Sequence, residues 1–239
     1  MKVLNVTQVS KMYPGFQLQN ISFCVEKGSI MGVIGRNGAG KTTTLKCIMH
    51  MAHMHGGRVE IFGLDMAKNQ QAIKQRIGYV GGAVDYYKKK KLRKLLHMTK
   101  RFYSNWDETA CHKYMQLFEL DENKTPAELS AGMKVKLSLV IALSHGAELL
   151  ILDEPTSGLD PVSRMELLEI FKYLKAQGVS ILFSTHITSD LDQCADAITY
   201  IREGSIVYTG SLQDFTDGKT LEEVMLRHEK EVLYEKFTV

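Results

Sequence analysis

Lys41 and Thr42 stand at the end of a glycine-rich run, and Asp153 and Glu154 stand at the end of an apolar one. The first run, Gly35-Arg36-Asn37-Gly38-Ala39-Gly40-Lys41-Thr42-Thr43, matches the phosphate-loop pattern G-x-x-x-x-G-K-[ST]. Glycines let a backbone wrap around phosphate, so that consecutive N–H groups meet anionic oxygens. A helix that opens directly after the loop aims its positive end at the same charge. Gly35, Arg36, Asn37, Gly38, Ala39, Gly40, Lys41, Thr42 and Thr43 are therefore candidate nucleotide-binding residues. Lys41 is predicted to contact the β- and γ-phosphates and Thr42 to ligate Mg2+.

The second run, Leu149-Leu150-Ile151-Leu152, places Asp153 at the carboxyl end of a buried strand, where open α/β sheets put their ligands. Asp153 is expected to hold Mg2+, directly or through a water. Glu154 is one residue further on and is placed to act as general base on the attacking water. Loop and acidic pair together describe a nucleoside triphosphatase.

These residues need a sheet and helices to position them. Ile21, Phe23 and Val25 alternate with Ser22, Cys24 and Glu26, which predicts a half-buried strand in an antiparallel N-terminal sheet. Ser29 to Ile34 is a near-continuous apolar run, as in a buried parallel strand. A helix is expected from Lys41 to about Met51, and a short strand over Arg58 to Gly63. Residues from about 81 to 130 are charged, aromatic and helical in pattern, and read as an inserted helical lobe. Pro161 follows Asp160 at the expected start of a helix whose stripe is Leu167, Ile170, Phe171 and Leu174, and Gly178 ends it. Val179 to Phe183 reads as another buried strand, Ile198 to Tyr208 as a hairpin turning at Glu203-Gly204, and about 220–236 as an amphipathic helix. The fold class predicted is α/β in a single domain over 1–239, with a mainly parallel core sheet.

The whole-chain properties narrow the class. A chain of 239 residues can build a core without disulfides, and its four cysteines form no C-x-x-C pair. The net charge of +3 does not point to nucleic acid as a partner. No signal peptide is read at the N-terminus, and no apolar run approaches the ~20 residues that span a bilayer.

Three further motifs occur in a fixed order. Leu129-Ser130-Ala131-Gly132-Met133-Lys134 precedes the acidic pair, while Ser157-Gly158-Leu159-Asp160 and Ser184-Thr185-His186 follow it. With this set the chain resembles the nucleotide-binding subunits of ATP-binding cassette (ABC) transporters, over almost its whole length. The resemblance implies the ABC ATPase fold of P-loop NTPases, with ATP and Mg2+ as ligands. It makes Glu154, His186 and Lys41 catalytic, His186 as the switch histidine that contacts the γ-phosphate and Glu154. It implies that Tyr13 stacks on adenine, and that Ser130 and the Gly132 backbone cap the γ-phosphate bound by a second subunit. That subunit, identical or different, would pair head to tail. A separate polytopic membrane subunit would carry the substrate and hold this chain at the cytoplasmic face of the membrane. The tail Leu221-Glu222-Glu223-Val224-Met225, the signature variant and Phe102 to Asp107 resemble exporter-type ATPase subunits of Gram-positive bacteria.

The sequence also departs from the family. Ala131 and Met133 replace Gly and Gln of the signature, and methionine has no side-chain donor. Gly82 stands where the family carries a Gln that helps ligate Mg2+, with Asp85 as the nearest downstream carboxylate. Tyr86-Tyr87-Lys88-Lys89-Lys90-Lys91 opens a stretch without acidic residues that reaches Trp106. A solvated face explains such a run, and so does a contact with the membrane subunit or lipid phosphates. His50, His53 and His55, with Met49, Met51 and Met54, read as the exit of the phosphate-loop helix rather than as a metal site.

Rival readings fare less well. A GTPase would carry Asn-Lys-x-Asp, whereas Asn123-Lys124-Thr125-Pro126 lacks the Asp. A DNA-repair ATPase would need a long coiled coil, and a translation factor two cassettes. A regulatory cassette would not need Lys41, Asp153, Glu154 and His186 intact. A soluble ABC ATPase of a cofactor-assembly complex, of the iron–sulfur type, stays open.

Overall fold

The computed structural model describes residues 1–81 and 87–237, with side chains as far as Lys230. Strands β1 (Lys2–Tyr13), β2 (Phe16–Glu26), β4 (Gly56–Ile61) and β5 (Leu64–Asp65) form an antiparallel sheet in the order β2-β1-β4-β5. Strands β3 (Ile30–Ile34), β6 (Ile77–Gly81), β7 (Leu149–Asp153), β8 (Ser180–Thr185), β9 (Ala197–Arg202) and β10 (Ser205–Ser211) form a second sheet in the order β10-β9-β3-β8-β7-β6. Within it β6, β7, β8, β3 and β9 run parallel. Strand β10 turns back on β9 through Glu203 (φ 48°) and Gly204 (φ 78°), the paired positive φ of a two-residue hairpin turn. This is the α/β architecture expected from the sequence.

The period of two along each parallel strand divides the core into two layers. Ile30, Ile34, Leu150, Leu152, Ile181 and Phe183 enter the layer shared with α5 (Ala131–Ser144) and α6 (Pro161–Ala176). Met31, Val33, Leu149, Ile151 and Leu182 face the other layer. There they meet α1 (Lys41–Ile48) and Leu4, Val6 and Val25 of the antiparallel sheet. Helix α1 is thus held between the sheets by Leu45, Cys47 and Ile48.

Helix α1 ends sooner than expected. His50 takes φ 54°, and the Met51 N–H donates to the Lys46 carbonyl at 2.8 Å, a Schellman-type stop with histidine in the left-handed position. A short α2 (Gln70–Lys74) leads into β6. The segment between β6 and β7 contains α3 (Leu92–Thr99), α4 (Glu108–Leu117) and α5, the last opening directly after Ser130. Asp107 caps α4, accepting from the Thr109 and Ala110 amides at 2.7 and 3.1 Å. The second half of α5, Leu137 to Ser144, is buried on all sides and largely apolar to match. A Cβ at Gly78 would fall 2.4 Å from the Ala142 Cβ, so β6 needs glycine for α5 to approach.

Asp160 caps α6 through the Val162 and Ser163 amides, both at 3.1 Å, with Pro161 in the first turn. Helices α7 (Thr188–Cys194), α8 (Leu212–Thr216) and α9 (Leu221–Phe237) complete the chain. Among the described residues no helix is long and apolar enough to cross a membrane.

Candidate nucleotide site

Strand register brings the motifs to one edge. Val33 pairs with Ser184, and Ser184 with Asp153, in one row across β3, β8 and β7. All three strands run parallel, so the glycine loop after Ile34, the acidic pair and His186 leave the sheet at the same carboxyl edge.

Two glycines shape the loop. A Cβ at Gly35 would lie 2.2 Å from the Ile201 carbonyl oxygen. At Gly40 (φ 113°) it would lie 2.6 Å from Leu18 and 2.9 Å from the ring of Phe16. The first turn of α1 carries no acidic residue, so no carboxylate competes there for its amides.

Lys41 is buried, and its ammonium donates to the carbonyls of Gly35 (2.8 Å) and Arg36 (3.3 Å). The same Nζ lies 3.1 Å from Glu154 Oε1, and Glu154 Oε2 lies 2.8 Å from His186 Nδ1. The carboxylate is therefore bracketed by an ammonium and an imidazole. Glu154 adopts φ 52°, a conformation that costs a non-glycine residue roughly 1–3 kcal/mol. Its N–H offsets part of that by donating to the backbone oxygen (3.1 Å) and hydroxyl (3.0 Å) of Ser184. The Ser184 hydroxyl donates to Asp153 Oδ1 at 2.7 Å, and Thr42 Oγ1 donates to the same oxygen at 3.0 Å. Burial first, and then the Asp153 charge, push the Tyr79 phenol of β6 above its ordinary range.

Asn37, Gly38, Gly40, Lys41, Thr42, Thr43, Glu154 and His186 line a cleft of about 530 Å3, together with Phe16 and Ser157. Gly35, Arg36 and Ala39 complete the loop behind it, and Arg36 turns its guanidinium towards Glu229 of α9 at 3.6 Å. Tyr13 is not among the lining residues. It is half-exposed at the hairpin end, with the Lys11 ammonium 4.8 Å from its ring centre. Phe16, its cross-strand partner, is the aromatic on the cleft. Sequence reading missed Phe16, although its place opposite Tyr13 across Pro14-Gly15 puts both on one face.

Ser130 and Gly132 are likewise absent from this cleft. Ser130 is exposed and caps α5 through the Met133 amide at 3.2 Å. Gly132 is buried, and a Cβ there would meet Leu159 and Ser163 at ordinary contact distance. Gly82 and Asp85, raised above as replacements at the metal, and Tyr86 lie outside the described residues. Thr42 Oγ1 and Asp153 Oδ1 converge as an oxygen-only pair, a donor set that fits Mg2+.

Comparison with known proteins identifies the family. The family model described as "ABC transporter" matches residues 18–157. The chain is 31% identical over 217 residues to the ABC transporter ATP-binding protein YtrB of Bacillus subtilis (strain 168), covering 90% of this chain and 74% of that protein. It is 34% identical over 214 residues to the Nod factor export ATP-binding protein I of Burkholderia orbicola (strain AU 1054), covering 87% of this chain and 70% of the other. A solved ATP-binding subunit of an ABC transporter superposes with TM-score 0.84 at 29% identity, covering 94% of this chain and 98% of that one. With its phosphate loop, acidic pair and histidine gathered at one sheet edge, the chain belongs to the ABC transporter family, as an ATP-binding subunit and ATPase.

Proposed function

We propose that this subunit powers export of a substrate through a separate membrane subunit, working as one half of a head-to-tail ATPase dimer at the cytoplasmic face of the membrane. The observation that carries the reading is the placement of Lys41, Glu154 and His186 in line beside Thr42 and Asp153, on a cleft that Ser130 and Gly132 do not line. The missing γ-phosphate cap then comes from the Ser130 and Gly132 of a second subunit, identical or different, across a twofold axis. The direction of transport is supported by the likeness to a Nod factor export protein.

The amides of Gly38 to Thr43 and the α1 terminus bind the phosphates. The Lys41 ammonium exchanges the Gly35 and Arg36 carbonyls and Glu154 for the β- and γ-phosphate oxygens. Glu154, released from the lysine but still held by His186, accepts a proton from the water that attacks the terminal phosphorus. The water oxygen forms the new P–O bond, the bond to ADP breaks, and phosphate leaves. Thr42 and Asp153 would hold Mg2+, which offsets the phosphate charge. Phe16 is the aromatic that packs against the bound nucleotide, in place of Tyr13.

Tyr87, with Lys90 over its ring at 4.7 Å, and the neighbouring lysines form the contact for the membrane subunit, meeting acidic groups or lipid phosphates. The test is to tag the chain in its native cell, solubilise the membranes gently and identify what co-purifies. A polytopic membrane protein is the expected outcome. Soluble partners alone would replace this reading with a cofactor-assembly ATPase.

A further inference from the structure

Three buried polar groups meet behind the catalytic edge without hydrogen-bond partners of their own. The Asp190 carboxylate of α7 is fully buried, and neither oxygen makes a well-formed hydrogen bond among the described residues, although the Thr156 hydroxyl and Arg164 lie beside it. Arg164 Nε of α6 and Thr156 Oγ1, two residues after Glu154, are orphaned in the same way. Arg164 Nε stops 4.0 Å short of Asp190 Oδ1. Burial pushes the Asp190 carboxyl up, while the nearby Thr156 hydroxyl, Arg164 and His186 pull it down and Glu154 pushes it up, so all four lie within its field.

A buried charge held short of its partner destabilises a fold, and such groups call for a functional explanation. The three segments involved have one thing in common. Asp190 lies in the first turn of the helix that follows His186, Thr156 sits in the loop that follows Glu154, and Arg164 lies near the start of α6. Signature Gly132 faces that same end of α6: a Cβ there would come within 3.8 Å of Ser163 and of Leu159 just before the helix.

We propose that Asp190 and Arg164 are positioning residues whose loose ion pair, now at 4.0 Å, tightens to a hydrogen-bonded one when nucleotide fills the cleft, tying the His186 segment to the start of α6. Occupancy of one subunit's cleft then sets the surface it offers to the other. The inference rests on the composite dimer site proposed above.

The test uses the full chain carrying Glu154→Gln, which retains ATP. ATP affinity is measured at subunit concentrations too low for pairing, ATP-dependent dimerisation by sedimentation, and stability by thermal melting. Asp190→Asn and Arg164→Gln are each expected to weaken the dimer about tenfold or more. ATP affinity should stay within about twofold, and the double variant should be no worse than the poorer single one. Asp190→Asn removes a buried charge, so its melting temperature should hold or rise, which a purely structural role would not allow. Unchanged dimerisation, additive losses in the double variant, or loss of ATP affinity in step with stability would overturn the inference. If Asp190→Asn does not fold, Arg164→Gln at its partly exposed position decides alone by the same criterion. A Glu154→Gln parent that fails to pair with ATP removes the composite-site reading and this inference with it. A parent that pairs, with variants that pair equally well, removes only this one.

Discussion

Lys41 Nζ and Glu154 Oε1 lie 3.1 Å apart, so the cation placed for the phosphates and the carboxylate placed for the water hold one another. Incoming phosphate competes for the ammonium and leaves Glu154 to His186 alone. Glu154→Gln keeps the shape of this contact and removes the base. Hydrolysis should fall by ~10²-fold or more, with ATP affinity within a few-fold of the parent. Single-turnover hydrolysis beside a nucleotide-binding titration checks this, and a variant that still hydrolyses at a comparable rate would assign the base elsewhere.

Phe16 and Tyr13 separate the structural reading of the aromatic from the sequence reading. Phe16 lines the cleft and reaches Gly40, while Tyr13, opposite it on the same face, is 43% exposed and does not line the cleft. An aromatic contact beyond area burial is worth about 0.5–1.5 kcal/mol, so Phe16→Ala should weaken ATP binding roughly threefold to tenfold. Tyr13→Ala should change it less. A larger loss at Tyr13 would restore the original assignment.

Ser184 joins the acidic pair, donating to Asp153 and accepting from the Glu154 amide with one hydroxyl. A hydrogen bond to a charged group contributes about 1.5–3 kcal/mol. Ser184→Ala should therefore reduce hydrolysis at least ~10-fold and raise the Mg2+ concentration needed for half-maximal rate. A Mg2+ titration identical to that of the parent would mean that Ser184 does not orient Asp153.

His145, at the end of α5, gives a pH dependence. Its ring stacks on Tyr103 with centres 3.9 Å apart, and its Nδ1 lies 3.1 Å from the Gln75 carbonyl. Burial lowers its pKa below the ordinary value of 6.5, with hydrogen bonding to the Gln75 backbone opposing. The unfolded chain then binds the proton more readily. The stability that neutral His145 contributes is present above pH 6.5 and is lost as pH falls below it, towards the depressed folded value. Denaturant unfolding from pH 7.5 down to about 5 should show this slope, and His145→Gln should flatten part of it. Equal slopes for the two proteins would remove His145 as a contributor.

Much of the fold was legible because its signals are local. The alternation of Ile21, Phe23 and Val25, the cap and proline at Asp160-Pro161, and the turn at Glu203-Gly204 each reflect backbone preferences acting over a few residues. The end of α1 and the seat of α5 were not legible in this way. The first is stopped by a histidine in a left-handed conformation, where glycine is the usual cue. The second rests on the close approach of Ala142 to Gly78, positions far apart in the chain.

The sequence by itself determined the chemistry available: a glycine loop ending in Lys41-Thr42, a strand ending in Asp153-Glu154, and the motif order that marks the family. Those features suffice because phosphate binding and strand formation are encoded by contiguous residues. Only the tertiary structure decided how the parts meet. The register of β3, β8 and β7 brings Ser184 to the Asp153 carboxylate and the Glu154 amide. The β1–β2 hairpin puts Phe16 on the cleft, and the packing of α6 on α7 buries Asp190 with its Oδ1 4.0 Å from Arg164 Nε. Each depends on distances between segments separated by many residues, which local preference and spacing leave undetermined.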